Sequence, residues 1–154
     1  MINVKTFFKV GNEFFDAEVW EGNVDDINYI YGSICLIVDG CAVFDKELWD
    51  CVDQLWSYVV DGLYCLSKGQ PFSFYFPDQA AFVSFNLTPK GDQVEIFIDL
   101  NGGRHVLVSK ALFLQSMKKG GEGFFNIMRN KVPEYEDSWM ECLKKLGQVS
   151  QTDI

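Results

Sequence analysis

The chain has 154 residues, 48% of them hydrophobic and 14 of them Phe, which is enough apolar surface to bury a core and excludes a disordered polypeptide. Its formal net charge of −9 is unevenly spread, since residues 1–70 hold 12 acidic and 4 basic side chains and residues 71–154 hold 10 and 9. An acidic half repels phosphate, so nucleic acid and anionic membrane are not expected as ligands; the charge is compatible with a basic protein partner, the alternative being a charge that serves solubility.

No segment approaches the ~20 uninterrupted apolar residues of a membrane span. The first residues, MINVKTFFKVGNEFFDAEVW, alternate from the start and do not read as a signal peptide. The 5 cysteines form no CxxC pair and are odd in number, which suits free thiols in a reducing cytoplasm.

In chain order, Ile2, Val4, Thr6, Phe8 and Val10 share one face of a first strand. Gly11-Asn12 is a hairpin turn into a second strand, Glu13 to Trp20. There Phe15, Ala17 and Val19 are expected inside, with Phe14, Asp16, Glu18 and Trp20 outside. A polar connection, Glu21 to Ile30, leads to a strand from Tyr31 through the apolar run Ile34 to Val38. Asp39-Gly40 makes a second hairpin with Cys41 to Phe44.

Asp45 to Lys68 then reads as one long amphipathic helix of roughly 33 Å, capped by Asp45 and ended by Lys68-Gly69. Leu48, Val52, Leu55, Val59, Gly62 and Leu66 form its apolar stripe, widened by Trp49 and Trp56, with Asp50, Asp53 and Asp61 opposite. Pro71 to Val108 reads as a four-stranded antiparallel meander, with turns at Pro77-Asp78, Pro89 to Asp92 and Asn101-Gly102. Ser109 caps a helix over Lys110 to Asn130, in which Gly120, Gly121 and Gly123 suggest a break. Pro133 opens a last helix carrying Tyr135, Trp139, Cys142 and Leu146 inward, and Gln148 to Ile154 reads as a frayed tail. The expectation is a single α+β domain over 1–154: two hairpins, a long central helix, a meander and two or three C-terminal helices.

Catalytic chemistry is sparse. His105 is the only histidine, which excludes a two-histidine metal site, and its strand context favours a structural role. No GxSxG, Walker A, GxGxxG or HExxH pattern is present. Asp16 and Glu18 share a strand face and Asp25-Asp26 follow in the next loop, but the spacing of a calcium loop is missing, so no metal or cofactor is expected. Phe14, Trp20, Tyr75, Phe82 and Phe97 fall beside Asp16, Glu18, Glu95 and Asp99 on the expected outer face of the sheet. Aromatics mixed with one sign of charge suit a binding surface, unless the last helices cover them as core.

The run GSICLIVDG, the helix LWDCVDQLW, the segment FSFYFPDQAAFVSFNLT and the Phe-rich FFNIM together resemble the small cytosolic immunity proteins of bacterial polymorphic and contact-dependent toxin systems. The resemblance is one of layout and composition over most of the chain. It implies a non-enzymatic protein that neutralises one cognate toxin domain, often a basic nuclease. In that reading Asp16, Glu18, Glu21, Asp25 and Asp26 steer and pair with Lys or Arg, while Trp20 and Tyr29 anchor. The alternatives are a structural or regulatory homodimer joined at a sheet edge or the outer aromatics, and a small-ligand binder or enzyme with a pocket between the long helix and the sheet.

Overall fold

Among the described residues the strands divide between two antiparallel sheets, and three α-helices pack on them, an α+β fold. The structure, a computed structural model, describes residues 1–100 and 102–149. In the first sheet, β1 (Ile2–Val10) lies between β2 (Glu13–Asp16) and β3 (Tyr31–Val38). The far side of β3 is shared: its Val38 end pairs with β4 (Cys41–Phe44) and its Tyr31 end with the two-residue β5 (Asp50–Cys51). The second sheet is the expected meander, β6 (Phe72–Tyr75), β7 (Phe82–Leu87), β8 (Gln93–Asp99) and β9 (Arg104–Ser109), in that order.

Turn chemistry accounts for the hairpins. Asp39 and Gly40 both have positive φ, +49° and +82°, as a two-residue turn matched to strand twist requires. Of the expected Asn101-Gly102 turn, Asn101 lies outside the described residues.

The helix expected from Asp45 is shorter and begins later. Asp45 does cap, accepting from the Glu47 N–H at 2.9 Å, but it caps a single 3-10 turn over Lys46–Leu48. The chain then extends through β5, and α1 runs over Val52–Ser67, 16 residues or about 24 Å. Asp50, read as solvent-facing, is instead 1% exposed. Its carboxylate accepts from the N–H groups of Cys51, Asp78 and Gln79 at 2.7–3.1 Å, and Gln79 in turn donates to the Trp49 carbonyl. That long-range clamp holds Trp49–Cys51 extended where local periodicity favours helix.

The glycines do not break α2, which is continuous over Lys110–Lys131 and capped by Ser109, whose hydroxyl accepts from the Leu112 N–H. A Cβ on Gly120 would lie 2.8 Å from Val4 Cγ1, and one on Gly121 would lie 3.0 Å from Leu146 and 3.2 Å from Trp56. Contact with β1, α1 and α3 (Glu136–Gly147) at these two positions offsets the propensity cost of glycine. Gln148 and Val149 are not frayed: Val149 is buried and its carbonyl accepts from Lys118, while 150–154 lie outside the described residues.

One hydrophobic core joins both sheets. Helix α1 packs on β3 of the first sheet and on β6 and β7 of the second, α2 on β1 and on β8 and β9, and α3 against both helices. Trp56 is fully buried there and donates from Nε1 to the Thr6 hydroxyl at 3.0 Å. Between the sheets, Arg104 of β9 donates to the Val43 carbonyl and pairs with Asp45 at 3.1 Å.

Candidate partner-binding site

Asp16 ends β2 and turns the chain back on itself. Its Oδ1 accepts from the Glu18 N–H at 3.0 Å, and its carbonyl accepts from the N–H groups of Val19 and Trp20. The strand expected to continue to Trp20 therefore stops at Asp16, and Val19, expected inside, is 74% exposed. The reversal returns Trp20 to the sheet, with its ring centroid 5.1 Å from Phe8 and 5.9 Å from Phe15. Lys131 of α2 places its ammonium 4.6 Å from the centre of the indole and donates to the carbonyls of Trp20 and Gly22 at 3.1 and 2.6 Å. Gly22 lies so close over the indole that a Cβ there would collide with the Trp20 ring. Trp20, read as an outward anchor, is thus a half-buried wall, because the turn at Asp16 reverses its direction.

That wall bounds a hollow of about 430 Å³ lined also by Asp25, Asp26 and Tyr29, so four of the seven expected site residues converge there. Asp26 Oδ1 accepts from the Asn28 N–H at 2.9 Å and its carbonyl accepts from the Tyr29 N–H, a turn that presents the Tyr29 ring. Tyr29 is 59% exposed and stacks 6.3 Å from Tyr31, which meets Trp49 edge-on at 5.6 Å. The Lys9 ammonium sits 4.1 Å over the Trp49 ring, closing the aromatic row at one end.

The other three expected residues lie apart from the hollow. Asp16 and Glu18 line a separate groove of about 580 Å³ against α2, and Asp16 is paired with Lys5 at 3.3 Å. Glu21 is exposed and lines neither. Among the described residues Glu18, Glu21, Asp25 and Asp26 form no ion pair, so their charge is free to act on a partner.

The expected continuous outer aromatic face is divided, because its strands belong to different sheets. Phe14 lies on the first sheet, with the Lys46 ammonium 5.7 Å from its ring. Tyr75, Phe82 and Phe97 lie on the second, where Tyr75 is 67% exposed with Phe82 at 4.9 Å. His105 is on that second surface, 3.3 Å from Glu95, and lines neither the Trp20 hollow nor the groove.

One further cluster carries no mark in the sequence. Asp50, Cys51 and Asp78 bring three possible ligand atoms within 4.8 Å of one another. A metal needs free carboxylate lone pairs and a thiolate. Here the Asp50 carboxylate is taken up by backbone N–H groups, and burial, with the nearby Asp78 and Asp50 carboxylates, pushes the Cys51 thiol up to about 11. The donor set fits a loop clamp and does not fit a metal. No local pattern reveals it, since Asp78 lies 28 residues beyond Asp50.

Compared with known proteins, the chain matches no family model, and no curated protein or solved structure is significantly similar to it.

Proposed function

We propose that this chain is a non-enzymatic binding protein, an immunity protein or antitoxin of the bacterial cytoplasm that neutralises a basic toxin domain. The convergence of Trp20, Asp25, Asp26 and Tyr29 on one hollow carries this reading. Unpaired carboxylates there attract Lys and Arg, and the Tyr29–Tyr31–Trp49 row supplies rigid contact area beside them. The acidic bias of the first 70 residues extends that attraction beyond the contact itself. An intracellular location is consistent with free thiols at all five cysteines, and no helix among the described residues is long and apolar enough to cross a membrane.

Affinity capture of the tagged protein from its native lysate, washed at low and at high salt, tests the reading. The expected result is one basic protein retained at low salt and weakened at high salt, and lost when Asp25 and Asp26 are replaced by Lys. Retention that ignores both salt and the replacements overturns it.

A further inference from the structure

We propose that the groove between β1 and α2 receives an extended segment of a partner protein, which joins the first sheet as an added strand antiparallel to β1. The inference concerns a surface that shares no lining residue with the Trp20 hollow, and it does not depend on the partner being a toxin.

Strand β1 is nine residues long, but β2 pairs only with its Phe7–Val10 half. Beyond that, the Ala17 N–H donates to the Thr6 carbonyl and the turn held by Asp16 carries the chain away. In an antiparallel strand the N–H and C=O of every second residue point to the same side. Thr6 aims its carbonyl toward the β2 side, so Val4 and Ile2 aim their backbone groups there too. Among the described residues no strand pairs with them on that side, although β3 pairs along the other from Ile2 to Phe8. An open edge of this kind is satisfied by the backbone of another strand.

Helix α2 supplies an independent observation. Contacts with Val4, Trp56 and Leu146 account for Gly120 and Gly121, but a Cβ on Gly123 would meet nothing within 4 Å. A helix-interior glycine costs about 1 kcal/mol against alanine, and among the described residues no contact explains this one. Gly123 lines the groove opposite the open edge, with Phe124 and Ile127 beside it. The missing side chain leaves space where an added strand would turn its inward residues.

The antiparallel pairing of β2 on this side of β1 sets the direction, and charge sets the chemistry of the occupant. Val4 is beside Gly120, and Phe8 is 6.3 Å from Phe124, so α2 runs alongside β1 in the same direction. Glu18 therefore marks the Thr6 end of the groove and Lys119 the Ile2 end. An antiparallel strand enters at Glu18 and leaves at Lys119. It fits a segment with a basic residue first, apolar residues turned inward opposite Val4 and Ile2, and an acidic residue or chain-terminal carboxylate last.

The probe is the peptide acetyl-Lys-Val-Thr-Val-Glu, titrated to millimolar concentration into the ¹⁵N-labelled full chain, with amide hydrogen exchange read at Ile2 and Val4. The proposal expects exchange at both amides to slow by about tenfold or more. It also expects no effect from the same peptide N-methylated at both valines, or in Gly123→Phe, with Gly123→Leu as a second groove-filling variant. Unchanged exchange at saturating peptide, equal binding of the methylated peptide, or binding retained in folded groove-filled variants overturns it. Protection that grows with protein concentration in the absence of peptide, together with a dimer mass, also overturns it and assigns the edge to a second copy of the chain.

Discussion

Lys131, in the last turn of α2, holds Trp20 from above: its ammonium lies 4.6 Å from the indole centre and donates to the Trp20 carbonyl at 3.1 Å. The hollow bounded by Trp20 is thus fixed by a residue 111 positions away in sequence. Replacing Lys131 with Met keeps the stem but removes the charge and both hydrogen bonds. Such a variant is expected to lose about 1–3 kcal/mol in urea unfolding and to speed amide exchange in the Glu21–Val24 loop. Unchanged exchange there would show that the indole holds the loop without the lysine.

Two glycine replacements three positions apart should have opposite signs. Gly120→Ala brings a methyl within 2.8 Å of the branched Val4 side chain, and overpacking of about 1–3 kcal/mol outweighs the gain in helix propensity. Gly123→Ala meets nothing among the described residues and should stabilise by about 1 kcal/mol. Thermal unfolding of the two variants side by side checks both.

Asp50→Ala strands the N–H groups of Cys51, Asp78 and Gln79 without their acceptor, and a loss of about 3 kcal/mol or more is expected. Asp50→Asn keeps one acceptor oxygen and should lose less. Denaturant midpoints that shift at unchanged m-value are the expected pattern.

The Cys51 thiol is raised from an ordinary value of 9.0 to about 11 by burial and by Asp78 and Asp50. In the unfolded chain it gives up its proton at lower pH than in the folded one. Its contribution to stability is level below about pH 9 and falls as pH rises toward 11. Cys51→Ala should remove this part of the alkaline slope. At pH 8 iodoacetamide should label the exposed Cys41 well before the buried Cys51.

Much of the fold is legible where local chemistry decides the outcome. Asp39-Gly40 marks its hairpin because both residues tolerate positive φ, and the alternation of Val94, Ile96 and Ile98 marks a strand whose inward residues are fully buried. What local pattern misreads is decided by distant partners. Leu48 and Trp49 fit the helical period of α1, but Asp50 is committed to the backbone of Asp78 and Gln79 and holds the segment extended. Gly120 and Gly121 look like a helix break until Val4, Trp56 and Leu146 are seen against them. Trp20 alternates outward in sequence, yet the side chain of Asp16 ends the strand and Lys131 draws the ring in. The acids at 25 and 26 are visible in the sequence as charge, whereas their sharing of a hollow with Trp20 and Tyr29 depends on that reversal.

The most direct test of the acidic hollow is the association rate with the captured basic partner, measured by stopped flow across a range of salt for the wild type and for Asp25→Lys/Asp26→Lys. Steering by these carboxylates predicts a rate that falls with salt, a drop of about tenfold or more in the variant at low salt, a shallower salt dependence, and an unfolding midpoint lowered by no more than the loss of the one exposed Asp26–Asn28 hydrogen bond. Equal rates and equal salt dependence in the two proteins would contradict the account.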